Sequence, residues 1–280
     1  MPALVHPTAT VGPQVVLADD VQIGAGCVLS GVVEIGPGCV IEPYTIIEGC
    51  CRIGRNCRIG PHACIGGRPQ DRKYAGQPTW LVVGDGVEIR EFCSVHRATQ
   101  PGEEHATRIG SGCMLMAFCH IGHDCVLAED VTLISYAGLS GHCRVERAAV
   151  LGGQAAMHQH CRIGRLAMAG GGAVVQRDIP PFAMCVGSML RGYNRVGCRR
   201  AGMSAEQTHA IRRAYSMLAS DRILSRALRR MEAELGEVPV VREILDFYAG
   251  SKRGVMNHHR SRYAESKPSG GPQEPSSDHA

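Results

Sequence analysis

The seven residues CHIGHDC, Cys119 to Cys125, hold two thiols, two imidazoles and a carboxylate. All five side chains can ligate zinc, and a histidine beside an aspartate can equally move a proton. Which chemistry applies depends on the direction each side chain faces, and that is set by the elements carrying the segment.

Those elements announce themselves through a period of six. Apolar residues fall at Val11, Leu17, Ile23, Leu29, Ile35, Ile41, Ile47, Ile53, Ile59 and Ile65 without a miss, resume at Val83, Ile89 and Val95, and run again from Ile109 to Val175. Twenty-five such hexads form a repeat signal no single one could supply. A small or modest residue stands two positions before each marked one in the first block, and ten of the fourteen cysteines occupy that slot along the chain: 27, 39, 51, 57, 93, 113, 119, 125, 143 and 161. Free cysteine packs as a small hydrophobe, so a slot shared with Ala, Val and Thr points to core filling. Aromatic residues make up only 4% of the chain, against 35 glycines and 44% hydrophobic residues, so something other than rings must fill the interior.

Two stretches break the period, residues 66–80 and 97–107, and insertions in a repeat array tend to gather on one face and build a binding surface. The repeats stop near Pro180-Pro181, which cannot extend a hydrogen-bonded ladder. From Ser204 the pattern turns helical: Ser204 to Gln207 has the form of a capping box, and further helices are expected over 221–236 and 239–250. The organisation expected is a repeat domain over 1–190, a helical domain over 191–255 and a disordered tail over 256–280, rich in Pro, Gly and Ser. Residues 191–260 hold 14 Lys and Arg against 7 Asp and Glu, which suits an acidic partner. No apolar run reaches the roughly 20 residues of a membrane span, and no secretory leader is evident, so a cytoplasmic protein with reduced thiols is expected.

The period assigns directions within the opening segment. Cys119 and Cys125 stand two before Ile121 and Leu127 and should face inward, whereas His123 and Asp124 should face out. One metal cannot be shared across that wall. His123, His142 and His158 are 19 and 16 residues apart, close to one coil each if three hexads make a turn, so they are expected to stack as an outward column at the strand spacing of about 4.8 Å. Such a column suits a polar cleft, and also a zinc site between subunits of the kind found in gamma-class carbonic anhydrases. The paired histidines of that class are five residues apart, a spacing absent here.

The hexads resemble the left-handed parallel β-helix of hexapeptide-repeat proteins, with three short strands per coil of about 18 residues. More specifically, QDRKYAGQPT, SVHRAT, CHIGHDC, LSGH, GGQAAMHQH, VQRDIPPFAMCVG, RRAYSML and REILDFYAGSKRG resemble, in order, the acyl-carrier-protein-dependent UDP-N-acetylglucosamine O-acyltransferases that begin lipid A synthesis. The resemblance implies that His123 is a general base oriented by Asp124, that a backbone N–H at Gly141 steadies the oxyanion, and that no covalent acyl-enzyme forms. It implies substrate contacts at Gln70, Asp71, Lys73, His96, His120, His142, His158 and Gln159, an acyl-length position at Gly171, and nucleotide recognition at Asn194 and Arg200. It also implies a homotrimer, no metal and no cofactor beyond the phosphopantetheine arm of acyl carrier protein, with that carrier and the nucleotide sugar as partners and no nucleic acid. Ala201 and Val196 replace a basic and an acidic residue of the family pattern, Arg72 replaces an apolar one, and GSMLRGYN is two residues short. Another nucleotide sugar, the 3-amino analogue among them, and a trimeric metalloprotein are the alternatives.

Overall fold

Three hexads make one turn of a parallel β-helix in the computed structural model, which describes residues 1–258. Most strands are two residues long, and each pairs in parallel with the strand one coil away. Outside the insertions that coil is 18 residues, as in Ile23 opposite Ile41, Leu133 opposite Leu151 and Leu139 opposite Met157. Every marked residue from Ile23 to Val175 is at most 3% exposed, and all ten slot cysteines are at most 2% exposed. All fourteen cysteines are free thiols.

The slot has a polar function as well. Cys27, Cys39, Cys113, Cys125 and Cys143 donate their thiol hydrogens to the carbonyls of Glu42, Gly54, Ala128, Ser140 and His158, each 15 residues on, at 3.0–3.2 Å. Thr45 does the same to Gly60 at 3.0 Å. Corner carbonyls turned into an apolar prism need a donor, and a small side chain with a weak S–H or an O–H supplies it.

The prism turns at residues held in the left-handed region, among them Asp124, His142 and His160 at φ 59°, 61° and 63°. An Asp tolerates this conformation because its short side chain can bond locally. The coils begin earlier than the hexad count, since Leu4–Val5 already pairs with Gln22–Ile23. The second interruption is also shorter than expected. Residues 102–107, placed in the 97–107 loop by the lost period, belong to a strand, Gly102–Ile109, that lies beside Thr79–Val83. A bulge in the register, not a missing strand, hid the period there. Cys64–Gly67, Ser94–His96 and His120–Ile121 form one strand column, and Thr79–Val83, Gly102–Ile109 and Val126–Leu127 form the next. Both insertions and the HDC segment therefore leave the prism at the same corner.

The ladder closes with Ala183–Val186 turning back antiparallel onto Met189–Tyr193. Four helices follow: α1 (Arg195–Arg200), α2 (Ala205–Ser220), α3 (Leu224–Leu235) and α4 (Pro239–Ala249). Ser204 and Gln207 form the capping box of α2. Tyr215 on α2 donates to the Pro181 carbonyl at 2.6 Å, and Arg165 grips Glu243 of α4 through two nitrogens, so the helices are fastened onto the last coil. After α4 the chain returns to the prism, where the Met256 N–H donates to the Asp178 carbonyl. Residues 256–258, expected in the tail, are bonded to the ladder instead; the rest of the expected tail lies outside the described residues. Among the described residues no helix is long and apolar enough to cross a membrane.

Candidate active site

His123 and Asp124 sit on the corner that carries both insertions, with side chains only 14% and 11% exposed. Because Asp124 is in the left-handed conformation, its carboxylate lies against the ring of its own neighbour: His123 Nδ1 is 2.6 Å from Asp124 Oδ2. A carboxylate only accepts, so Nδ1 carries the proton and Nε2 keeps its lone pair. The Thr99 N–H and O–H both donate to Asp124 at 2.9 Å, and the Asp124 N–H donates to the buried Thr107 hydroxyl at 2.8 Å. Thr99 and Thr107 come from the second interruption, whose register was unreadable, and the period offers no sign of their role. Burial pushes the Asp124 carboxyl up, but the hydrogen bonds from His123 and Thr99 and the neighbouring His142 outweigh it and leave it below its ordinary value. It is a fixed anion aimed at an imidazole.

The other histidines form a ridge through this point. His96 meets His120 edge-on at 5.2 Å, His123 meets His142 edge-on at 5.1 Å, and His142 stacks on His160 at 4.6 Å. The third member of the expected outward column is thus His160 and not His158. One coil is 18 residues, so His142 stacks on the residue 18 beyond it; His158 falls two positions short and instead accepts a hydrogen bond from Arg253 at 3.0 Å. Its neighbour Gln159 is exposed beside it. Burial lowers His120 and His142 below the ordinary imidazole value; for His142 the Asp124 and Asp71 carboxylates oppose that shift. The Ser94 hydroxyl holds His120 Nδ1 at 2.8 Å, and His96 Nδ1 donates to the Arg68 carbonyl.

Gly141 lies one coil from His123. A Cβ there would stand 2.5–2.6 Å from the His123 ring, so the absence of a side chain is what lets the imidazole lie where it does. Among the described residues nothing accepts from the Gly141 N–H. In the first insertion Asp71 Oδ1 accepts the Lys73 N–H at 2.8 Å, and Gln70 and Lys73 are exposed. Gly171 is exposed, and a Cβ there would meet only the Gly153 carbonyl, at 3.5 Å, so a side chain has room to project.

Asn194 is not available to a ligand in this structure. It is 3% exposed, its Nδ2 donates to the Leu166 carbonyl at 2.9 Å and its Oδ1 caps α1 by accepting from Gly197 at 2.9 Å. The helix N-terminus needs an acceptor and uses this one. Arg200, in the last turn of α1, is exposed.

Donor atoms of His123, Asp124 and His142 lie within 4.8 Å of one another, a set able to attract a metal ion. The His123–Asp124 contact of 2.6 Å is a hydrogen bond, shorter than the roughly 3.3 Å that separates two ligands on one tetrahedral zinc. The cysteines of the same segment are on the far side of the wall, their thiols bonded to carbonyls inside the prism. What the corner offers is a proton acceptor, a fixed anion behind it, an open N–H beside it and a ridge of imidazoles on both sides.

Comparison with known proteins returns one name repeatedly. A family model described as UDP-N-acetylglucosamine O-acyltransferase, domain 2, matches residues 178–256, and one for bacterial transferase hexapeptide repeats matches residues 32–67. The acyl-[acyl-carrier-protein]–UDP-N-acetylglucosamine O-acyltransferase of Thermodesulfovibrio yellowstonii is 42% identical over 88% of this chain and 91% of its own length. That of Halorhodospira halophila is also 42% identical, over 90% of this chain and 98% of its own. Among solved structures, LpxA from Acinetobacter baumannii superposes with a TM-score of 0.86 at 35% identity, covering 91% of this chain and all of that one. The UDP-N-acetylglucosamine acyltransferase of Francisella novicida gives 0.86 at 31%, covering 91% and 94%.

Proposed function

The chain belongs to the acyl-[acyl-carrier-protein]–UDP-N-acetylglucosamine O-acyltransferase family, and from that premise we propose that it moves a 3-hydroxyacyl chain from acyl carrier protein to the 3-hydroxyl of UDP-N-acetylglucosamine, the opening step of lipid A synthesis. The observation that carries the finer mechanism is the His123–Asp124 pair, with Nδ1 committed to the carboxylate and Nε2 left as base. A sugar hydroxyl is a weak nucleophile at neutral pH. His123 Nε2 takes its proton as the oxygen attacks the thioester carbonyl, and Asp124 stabilises the imidazolium that results. The carbonyl oxygen becomes an oxyanion facing the Gly141 N–H. Collapse breaks the carbon–sulfur bond, and the proton returns from His123 to the departing thiolate, so an ester and a free phosphopantetheine thiol are formed.

Direct transfer is supported by where the nucleophiles lie. Cys119 and Cys125, the thiols nearest in sequence, are buried in the prism, so the corner offers the acyl group a base and no thiol of its own segment. The excess of basic residues over 191–260 suits an acidic carrier protein. A trimer belongs to the same reading. Tyr44, His62, Phe92, Phe118 and Tyr136 form an outward stack of rings 4.8–5.2 Å apart at another corner, an apolar edge suited to a second prism. The test is mass spectrometry of products from a panel of acyl carrier protein donors, offered with UDP-N-acetylglucosamine and its 3-amino analogue. An O-acylated nucleotide sugar is expected, and failure of every donor with both acceptors rejects the proposal.

A further inference from the structure

A cleft of about 690 Å³ opens beside the His142–His160 stack and runs along the prism face carrying Arg144 and Arg162 to the Gly250–Arg253 segment after α4. Four cations line it, Arg144, Arg162, Lys252 and Arg253, against two carboxylates, Glu146 and Asp178, an excess of two positive charges. Both carboxylates are already committed. Asp178 is 1% exposed and accepts from the Arg162 N–H and the Ser251 hydroxyl. Glu146 accepts from the Arg162 guanidinium and the Arg165 N–H. Arg144, Lys252 and Arg253 are left with no carboxylate among the described residues; Arg253 donates to the His158 ring.

Arg144 and Arg162 are register partners on adjacent coils, and like charges directly opposite one another destabilise a sheet. Glu146 offsets the Arg162 charge, which leaves Arg144 as the cation of this pair still facing the cleft without a counter-charge. Arg144 follows the corner residue His142 by two positions and lines the same cleft, so an anion held there lies beside the corner proposed for proton transfer.

We infer that this cleft is a phosphate-binding subsite in which Arg144, Lys252 and Arg253 hold the phosphoryl oxygens of a substrate beside the His142–His160 stack. Guanidinium groups fit phosphate oxygens as a planar fork, and lysine adds a point charge. The assignment rests on the acyl-transfer reading only for the carriers of that phosphate: the phosphopantetheine arm of the donor, or the diphosphate of the nucleotide sugar.

Binding is measured by calorimetry on the full chain, with UDP-N-acetylglucosamine, phosphopantetheine and dephosphorylated pantetheine as separate probes, so the outcome does not depend on turnover. An Arg144→Gln, Lys252→Gln double variant is expected to weaken a phosphate-bearing probe about tenfold or more, with a shallower salt dependence, while Arg144→Lys retains most of the affinity. Loss confined to the nucleotide sugar assigns the subsite to the acceptor. Loss confined to phosphopantetheine, together with wild-type preference for it over pantetheine, assigns the donor. Arg147→Gln, which removes an exposed charge from the neighbouring turn, is the control and leaves all constants unchanged. Unaltered affinity for both phosphate-bearing probes in the double variant overturns the inference, even if acyl transfer itself is then demonstrated.

Discussion

His123 Nδ1 and Asp124 Oδ2 lie 2.6 Å apart although the two residues are consecutive, a contact made possible by the left-handed backbone of Asp124 at φ 59°. Consecutive residues on a strand face opposite sides, so this pair exists only because it occupies a corner. The proposed chemistry depends on that local geometry.

Replacing His123 by Ala is expected to lower the acyl-transfer rate by roughly 10²–10⁴ while leaving the thermal midpoint nearly unchanged, because the ring packs outside the prism core. Retained turnover in steady-state assays of H123A rejects the base assignment. Metal analysis of the purified wild type is the companion measurement; stoichiometric zinc is the result that would favour a metal centre at His123, Asp124 and His142.

Asp124→Asn keeps the shape and removes the charge that stabilises the imidazolium. Hydrogen bonds to charged groups are worth about 1.5–3 kcal/mol, so kcat is expected to fall by roughly 10- to 100-fold. Thr99→Val deletes one of the two donors that Thr99 gives Asp124 and should produce a smaller loss of about threefold to tenfold. A T99V effect equal to that of D124N would mean that Thr99 acts on something other than the carboxylate.

Gly141→Ala sets a methyl against the His123 ring. The ring is the movable end of a side chain, so folding should survive, and the imidazole should be displaced from its working position. The expected signature is a large fall in kcat with an unchanged melting curve. A fully active G141A variant would show that His123 need not sit where it does.

Burial depresses His120 and His142, so as pH falls below the ordinary imidazole value of 6.5 the unfolded chain takes up protons before the folded one. Stability must therefore decrease with acidification in that range. Asp124 is also depressed, so its contribution is present above the ordinary carboxyl value of 3.8 and is lost as pH falls through its folded value. Thermal midpoints are expected to drop in two stages on acidification, with His120→Gln flattening the first. An identical pH profile in H120Q would exclude His120 as a source of that stage.

Much of the prism is legible in the sequence, because burial enforces the period at every step. Cys119 and Cys125 had to face in and His123 out, and the segment separated into core filler and surface chemistry on that ground alone. Legibility ended where the period did. Thr99 reaches Asp124 across 25 residues, and Ser94 reaches His120 across 26, separations that no multiple of six predicts because inserted residues and a bulge intervene. The expected His158 gave way to His160 for a related reason: stacking requires equal register, and a spacing of 16 is not a spacing of 18.

Sequence alone therefore determined the direction each repeat side chain faces, since a six-residue period locks every residue to wall, core or corner. Only the tertiary structure decided which side chains meet. It turned Asp124 back onto His123, brought Thr99 to hold the carboxylate, committed Asn194 to capping α1 and set Lys252 and Arg253 beside Arg144 in one cleft. Those contacts depend on loop path and helix docking, for which the local chain carries no repeating signal.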